Sequence, residues 1–228
     1  MSARALEFMI AGRRARGAPG KRLYVVGDVH GRADLLRALA DAIVADNARR
    51  APKETFLVLL GDLIDRGPQS REVVELVRRA ALAPFPTLSL AGNHEEALVE
   101  GLRGRPERLG DWLAHGGYDC ARSYGAPIGA LFGAQPAVIE RILCDHIPPA
   151  HLEFLAGLPD TVQFGDFLLA HAGVDPGAPL AAQGRAVRWI REPFLSSDKD
   201  FGAVVVHGHT VRAEVEVRSN RIGLDNGA

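Results

Sequence analysis

The sequence predicts an α/β protein with two β-sheets packed against each other. In the first half of the chain, short apolar runs alternate with segments of helical periodicity, which indicates a parallel sheet with right-handed helical crossovers. In the second half, short apolar runs follow one another without long helices between them, which indicates a second sheet of mixed strand direction. A chain of 228 residues fits one domain of this kind.

Buried strands and amphipathic helices alternate along the first half. Residues 23–26 form an apolar run that ends at Gly27, as expected of a buried strand. Residues 32–49 then place Leu35, Leu36 and Leu39 on one face, as expected of a helix. The next predicted elements are a strand at 55–60, a helix at 70–82, a strand at 87–90 and a helix at 95–102. Since ligands gather at the carboxyl ends of parallel strands, the polar residues that follow these strands are expected to share one site.

The pattern changes between residues 104 and 158, where glycine, proline and short amphipathic segments dominate. We interpret this stretch as a helical insertion that shapes substrate access, within a single domain of residues 1–228. Strands are predicted beyond it at 161–164, 167–170, 203–206, 214–217 and 222–224. Residues 1–20 are basic and have no sustained apolar core, so they are expected to be a flexible leader and not a secretory signal.

Composition excludes several classes of partner. The formal net charge of −1 gives no overall field that favours nucleic acid or a membrane surface. No apolar run approaches the roughly 20 residues that span a bilayer. The two cysteines do not form a disulfide scaffold, so a reducing cytoplasm is expected. Neither Cys120 nor Cys144 begins a Cys-x5-Arg loop, which argues against a cysteine-nucleophile phosphatase. The oligomeric state stays open, and a monomer is compatible with these features.

Five short polar motifs, each placed after an apolar run, carry the chemistry of this chain. They are Asp28-Val29-His30-Gly31, Gly61-Asp62-Leu63-Ile64-Asp65-Arg66-Gly67, Gly92-Asn93-His94-Glu95, His171-Ala172-Gly173 and Gly208-His209-Thr210. Together they offer carboxylate, imidazole and amide ligands, the mixture that binds hard or borderline divalent cations. The sequence therefore predicts a hydrolase with two metal ions.

The candidate ligands divide between two cations that share one carboxylate. Asp28 and His30 lie two residues apart on an extended segment, so their side chains point the same way. A carboxylate has two oxygens, which allows Asp62 to bridge both cations. The first cation is expected to bind Asp28, His30 and Asp62, and the second is expected to bind Asp62, Asn93, His171 and His209. Two cations about 3.5–4 Å apart activate a bridging water and clamp a phosphoryl oxygen.

Four further residues have predicted roles in catalysis. His94 follows the ligand Asn93 and is a candidate general acid for the leaving oxygen. Asp65 is expected to bind His94 and to fix its tautomer. Arg66 offers a planar guanidinium to phosphate oxygens, and Arg191 is a second candidate for the same task.

These motifs resemble those of the phosphoprotein-phosphatase branch of the calcineurin-like metallophosphoesterases, especially its bacterial and bacteriophage serine/threonine phosphatases. The family pattern GDxHG, GDxxDRG, GNHE, HAG and GHT is complete between Gly27 and Thr210. The resemblance implies a four-layer αββα sandwich of two mixed β-sheets flanked by helices. It also implies a dinuclear centre, with manganese expected and iron, zinc or magnesium as alternatives, and attack on a phosphomonoester by a hydroxide that bridges the two metals.

One position departs from the wider family. Many metallophosphoesterases carry a second histidine two residues after the one that matches His209, and this chain has Val211 there, as in the phosphoprotein-phosphatase branch. The first cation is therefore expected to have fewer protein ligands.

The motifs leave three functions open. A serine/threonine protein phosphatase is the leading hypothesis, and a symmetrical bis(5'-nucleosyl)-tetraphosphatase or another nucleotide phosphohydrolase is the nearest alternative. A non-catalytic metal-binding regulator is disfavoured, because it would need neither His94 nor Asp65. An open groove beside residues 104–158 would suit a peptide, whereas a closed aromatic pocket would suit a base. The few aromatic residues in that stretch favour the open site.

Overall fold

Two β-sheets, one of three strands and one of five, pack face to face at the centre of the protein. The computed structural model describes residues 7–10 and 12–227. The strands are β1 (Met9–Ile10), β2 (Arg13–Arg14), β3 (Lys21–Val26), β4 (Glu54–Leu59), β5 (Thr87–Ser89), β6 (Thr161–Phe164), β7 (Phe167–Ala170), β8 (Val204–His207), β9 (Glu216–Val217) and β10 (Arg221–Gly223). The helices are α1 (Ala33–Ala48), α2 (Ser70–Arg78), α3 (Asn93–Leu102), α4 (Leu109–Trp112), α5 (Tyr118–Ser123), α6 (Pro136–His146), α7 (Pro149–Ala156) and α8 (Ala186–Trp189).

The two sheets differ in strand direction. In the first sheet, β3 pairs with β4 and β4 pairs with β5, and both pairings are parallel. The second sheet has the order β6-β7-β8-β10-β9, with parallel pairs at its centre and antiparallel pairs at both edges. The mixed character expected of both sheets thus applies to the second alone. The first is parallel because a helix follows each of its strands and returns the chain to the same edge.

Alternation along the strands buries both faces of the first sheet. In β4, Leu57 and Leu59 belong to the core beneath the helices, whereas Val58 belongs to the core between the sheets. On the outer face of the second sheet, Phe194 packs with Leu168, and the covering segment contains a 3₁₀ turn and the short helix α8. The α/β fold of two sheets flanked by helices is therefore confirmed, with a thin outer layer on one side.

The N-terminal segment is packed where the structure describes it, so the flexible leader predicted for residues 1–20 is wrong over that part; residues 1–6 and 11 lie outside the description. Strands β1 and β2 form a small antiparallel hairpin. Phe8 and Ile10 are buried against Val204 of the second sheet. The guanidinium of Arg13 donates to the Asp166 carboxylate at 2.6 Å. The apolar stretch at 8–10 is too short for its burial to be read from periodicity.

The predicted insertion, residues 104–158, contains four helices, α4 to α7. Its buried side chains, among them Leu109, Leu143 and Leu155, join the same apolar core as those of α1 to α3. The segment therefore folds onto the α/β core instead of building a core of its own. Among the described helices, none has the length and apolar character needed to cross a bilayer.

Truncating Phe8 tests the packed N-terminal segment. Phe8 is 7% exposed and lies edge-on to the Phe167 ring, at 6.1 Å between centroids. We expect Phe8→Ala to lower the free energy of unfolding by about 3 kcal/mol, because a buried aromatic side chain is lost. Its neighbour Met9 is 57% exposed, so Met9→Ala is the matched control and should change little. Equal denaturant midpoints for the two variants would show that the segment does not pack in solution.

Candidate metal centre

All six predicted metal ligands follow the carboxyl ends of strands, and the two sheets contribute to one site. From the first sheet, Asp28 and His30 follow β3, Asp62 follows β4, and Asn93 begins α3 just after β5. From the second sheet, His171 follows β7 and His209 follows β8. Packing the sheets face to face brings these ends together, as the rule for ligands of parallel sheets predicts.

Two groups of potential ligand atoms share the Asp62 carboxylate. One group contains Asp62, His171 and His209, and the other contains Asp62, His30 and His94; within each group the atoms lie no more than 4.8 Å apart. The Asn93 amide oxygen lies 3.0 Å from His171 Nε2, beside the first of these groups. Asp62 is 2% exposed. The geometry therefore gives Asp62 the central place that the sequence predicts for a bridging carboxylate.

The second group differs from the predicted set, because it contains His94 where the sequence predicts Asp28. The Asp28 carboxylate lies 3.9 Å from His30 Nε2 and accepts hydrogen bonds from the backbone N–H of His209 at 3.0 and 3.2 Å. Asp28 thus joins the first sheet to the second, at the same time as it faces His30. A side chain at Gly208 would collide with the Asp28 carboxylate, so this approach requires glycine there.

Backbone carbonyls orient two of the histidine rings. His171 Nδ1 lies 2.9 Å from the Leu60 carbonyl oxygen, and His30 Nδ1 lies 3.0 Å from that of Ile64. A carbonyl only accepts, so each Nδ1 carries the hydrogen and donates it. The lone pair of each ring is then on Nε2, which faces the ligand group. Such partners behind a metal-binding histidine fix its tautomer and its orientation.

Electrostatics favour a divalent cation at this place. Burial lowers the pKa of His30 to about 3 and that of His209 to about 4, so both imidazoles are neutral near pH 7. Burial, and then the charge of Asp225, raises the pKa of Asp28 to about 8. Burial also raises the pKa of Asp62 well above its ordinary value. Neutral imidazoles beside buried carboxylates that lack compensating charge are donors that fit a bound cation.

Asp65 and His94 form a buried pair next to the ligand groups. His94 Nδ1 lies 2.6 Å from Asp65 Oδ2, and Asp65 is fully buried. Burial alone lowers the pKa of His94, but the hydrogen bond to Asp65 and the charge of Asp62 outweigh it, so the pKa of His94 is raised above its ordinary value. The His94 ring can therefore hold a proton on Nε2, the nitrogen that faces away from Asp65.

The two predicted phosphate clamps are placed differently. Arg66 Nη1 donates to His30 Nε2 at 2.8 Å, and Arg66 Nη2 lies 3.3 Å from His94 Nε2. Because the His30 lone pair cannot serve a guanidinium and a cation together, cation binding at His30 requires the Arg66 guanidinium to move off His30 Nε2. Both Arg66 and Arg191 line a cavity beside the ligand groups. The sequence did not indicate the contact between Arg66 and the two histidines, because nothing in a motif specifies a side-chain rotamer.

Backbone strain is concentrated at this site. Six described residues other than glycine have a positive φ, and five of them belong to the site: His30, Asp62, Asp65, Arg66 and His209. Such conformations cost about 1–3 kcal/mol each and persist where the surroundings hold them. The site is therefore built on turns that the chain would not adopt in isolation.

Glu95 is the functional residue that sequence reasoning missed. Its two carboxylate oxygens accept backbone N–H groups from Gly92 at 2.8 Å, Asp62 at 2.9 Å, Leu63 at 2.8 Å and Ile64 at 3.3 Å. One buried side chain therefore holds the strained loop of Asp62. In the sequence, an acidic residue in the first turn of a helix is already explained by the helix dipole. Nothing in the sequence therefore indicated that the Glu95 carboxylate hydrogen-bonds to the Asp62 loop.

A cavity of about 510 Å³ opens beside the ligand groups. The metal-site residues that line it include Asp62, Asn93, His94 and His209, and its other lining residues are Arg66, Ala97, Arg108, Asp111, Trp112, His115, Trp189 and Arg191. Arg66 and Arg191 bring positive charge to this lining, which favours a substrate with negative charge, whereas Arg108 pairs with Glu100 at 2.5 Å. Four of the lining residues, Arg108, Asp111, Trp112 and His115, belong to the segment 104–158.

An α/β fold with two ligand groups around one shared carboxylate, next to an arginine-lined cavity, defines a metal-dependent phosphoester hydrolase. Comparison with known proteins agrees. The chain belongs to the calcineurin-like phosphoesterase family, whose sequence profile matches residues 21–213.

Relatives of two substrate classes resemble this chain over most of its length. Serine/threonine-protein phosphatase 2 of Escherichia coli (strain K12) is 35% identical over 91% of this chain and 88% of that protein. The asymmetrical bis(5'-nucleosyl)-tetraphosphatase of Bacillus velezensis is 26% identical over 89% of this chain and 83% of that protein.

Solved structures share the fold at low sequence identity. A cold-active protein-tyrosine phosphatase of a psychrophilic Shewanella species has a TM-score of 0.55 at 20% identity, and covers 92% of this chain and 74% of its own. A protein serine/threonine phosphatase of Saccharomyces cerevisiae has a TM-score of 0.50 at 16% identity, and covers 92% of this chain and 71% of its own.

Replacing Glu95 tests its support of the Asp62 loop. Glu95→Gln leaves one acceptor oxygen for four N–H groups, so we expect the free energy of unfolding to fall by roughly 2 kcal/mol. Manganese affinity, measured by calorimetric titration, should fall roughly tenfold or more. Glu96→Gln is the matched control: Glu96 is also buried, but it pairs with Arg188 at 3.3 Å and not with the loop. Equal manganese affinity in both variants would contradict this role of Glu95.

Proposed function

We propose that this metallophosphoesterase is a serine/threonine protein phosphatase with two bound metal ions, of which manganese is the expected metal. The arrangement of Asp62 supports two cations, because it is the one residue that both ligand groups contain. Asp28, His30 and Asp62 would hold one ion, and Asn93, His171 and His209 would complete the other with Asp62. When bound, the ions supply an activated water and positive charge at the phosphoryl oxygens.

The residues beside the metal centre divide the remaining tasks. His94 donates a proton from Nε2 to the leaving oxygen, and Asp65 holds the ring from the opposite nitrogen. His94 shares a group of potential ligand atoms with His30 and Asp62, which supports this role, since the leaving oxygen must lie near the phosphoryl group that the ions bind. Arg66 and Arg191 bind the remaining phosphate oxygens from the cavity side. A non-catalytic regulator would need neither the proton donor nor its carboxylate.

Two observations support a phosphoprotein as the substrate. The relative named as a serine/threonine-protein phosphatase is 35% identical along nearly the whole chain, more than the tetraphosphatase that matches over a similar length. Of the aromatic residues in the insertion, Trp112 lines the cavity, whereas Tyr118, Tyr124, Phe132 and Phe154 are not among the residues described as lining it. With one insertion aromatic in the lining and arginines beside the metal site, the cavity fits a phosphorylated side chain on an extended peptide better than an enclosed base.

A dinucleoside tetraphosphate is the second candidate substrate. The symmetrical bis(5'-nucleosyl)-tetraphosphatase of Paracidovorax citrulli is 36% identical over 38% of this chain and 29% of that protein. The Trp189 ring lines the cavity and is 44% exposed, so it offers one face on which a base could stack.

The proposed setting is the cytoplasm. Cys120 and Cys144 are both free thiols in the structure, which suits a reducing compartment. The expected partner is a phosphorylated protein, and neither nucleic acid nor a membrane is part of the proposal. The proposed unit is a single domain that includes residues 104–158.

Hydrolysis by manganese-loaded protein distinguishes the substrates. We expect turnover of a phosphothreonine peptide, weaker turnover of a phosphotyrosine peptide, and little turnover of diadenosine tetraphosphate. His94→Asn should lower turnover by roughly a hundredfold or more, because the proton donor is lost. Turnover of the dinucleotide alone would replace the proposed substrate, and turnover of none of the three by the wild-type protein would contradict the phosphatase itself.

The number of bound cations can be counted directly. We expect the wild-type protein to bind two manganese ions and His209→Ala to bind one at the same concentration, because an imidazole ligand is removed. His207→Ala is the control: His207, the last residue of β8, is also buried, but its ring packs on Phe194. It should lower thermal stability and keep both ions. Metal analysis after gel filtration, or titration monitored by electron paramagnetic resonance, measures the stoichiometry.

A further inference from the structure

The insertion reaches the catalytic pair through one indole. Trp112, the last residue of α4, donates its Nε1–H to Asp65 Oδ2 at 2.8 Å. The same oxygen accepts the hydrogen bond from His94 Nδ1. The other carboxylate oxygen, Asp65 Oδ1, is buried with no hydrogen-bond partner among the described residues. Two donors on one oxygen fix the plane of the Asp65 carboxylate, and the indole is one of them.

The indole is itself fixed by the glycines that follow it. Trp112 is 3% exposed, and a Cβ at Gly117 would lie 2.6 to 2.8 Å from three atoms of its ring. The indole therefore lies flat on a residue with no side chain. Gly116, with φ of +114°, lets the chain turn so that its carbonyl accepts the backbone N–H of Arg66 at 3.1 Å. Residues 112–117 thus hold both Asp65 and Arg66, two residues with strained backbones.

We infer that Trp112 is a positioning residue that keeps the Asp65 carboxylate in the orientation from which it holds His94 as a proton donor. The inference rests on the proposed phosphatase function, since it concerns the same site. Without the indole N–H, the Asp65 carboxylate can rotate, and a rotated carboxylate no longer places the His94 ring. Trp112 acts through Asp65 and His94, so replacing it lowers kcat for those substrates in which proton donation limits the rate.

The leaving group of the substrate separates this role from a general loss of packing. A phenolate is a poor leaving group that needs a proton, whereas a 2,4-dinitrophenolate leaves without one. We expect Trp112→Phe to lower kcat for phenyl phosphate roughly tenfold or more, given the strength of a hydrogen bond to a carboxylate, with a much smaller change for 2,4-dinitrophenyl phosphate. The readout is kcat for phenyl phosphate divided by kcat for 2,4-dinitrophenyl phosphate. A packing defect lowers both kcat values alike and leaves this ratio unchanged.

Two further variants sharpen the test. Gly117→Ala keeps the indole but displaces it, so it should lower the same ratio. Trp189→Phe is the matched control, because Trp189 also lines the cavity and also donates its indole N–H to a buried carboxylate, Glu96 Oε2, at 3.2 Å. It should raise KM, since it loosens the segment that carries Arg191, and leave the ratio unchanged. A ratio unchanged in Trp112→Phe, or lowered equally in Trp189→Phe, would overturn the inference.

Nuclear magnetic resonance tests the contact without turnover. The chain has two tryptophans, so its two indole N–H signals are assigned from the two phenylalanine variants, with diamagnetic magnesium in place of manganese. We expect Asp65→Asn to shift the Trp112 signal upfield, since a bond to a carboxylate is stronger than a bond to an amide, and to leave the Trp189 signal in place. An unchanged chemical shift of the Trp112 indole N–H in Asp65→Asn would overturn the inference. If the wild-type protein hydrolyses neither ester, the proposed function fails and the indole signals alone decide the contact.

Discussion

Burial of the Asp62 carboxylate between two groups of imidazoles is the constraint on which the rest of the structure depends. A carboxylate that is 2% exposed must be compensated by donors or by cations. The backbone N–H of His94 supplies one donor at 3.2 Å, and the remaining lone pairs face the ligand groups. Both sheets must therefore end at the same edge, and the hydrogen bond from His209 N to Asp28 joins those ends across the sheets.

The strained turns at the site explain why so much of the protein supports it. Asp62, Asp65 and Arg66 all have positive φ within one loop. Glu95 holds the first part of that loop by its backbone N–H groups, Ser70 Oγ accepts the N–H of Asp65 at 3.0 Å, and the Gly116 carbonyl accepts that of Arg66. Two helices of the α/β core, α2 with Ser70 and α3 with Glu95, and the insertion with Gly116 thus secure the same loop. The free energy that favours these turns comes from packing elsewhere, which is the usual relation between a rigid core and a strained site.

The sequence predicted which side chains lie close together better than it predicted their hydrogen-bond partners. Asp62, His171 and His209 could be placed together, because polar residues at strand ends in a parallel sheet converge whatever the details of packing. Glu95 could not be recognised, since its position in the first helical turn already had a sufficient explanation. The packing of Phe8 and Ile10 was equally invisible, because two alternating apolar residues do not make a periodic signal. What the sequence lacks in each case is the identity of a partner that lies far along the chain.

The insertion lines the cavity and also hydrogen-bonds to Asp65 through Trp112. These two sets of contacts place different limits on which of its residues can change. Arg108, Asp111 and His115 line the cavity from this segment, and they can vary with the molecule that the cavity admits. Trp112 cannot vary in the same way, because its indole also holds Asp65, and Gly117 is bound to it by close contact. On the proposed function, a change from a phosphopeptide to a nucleotide would involve the three positions that surround Trp112, while the hydrogen bond from Trp112 to Asp65 would stay the same. Relatives named for two different substrate classes, both similar to this chain over most of its length, are the outcome that this division allows.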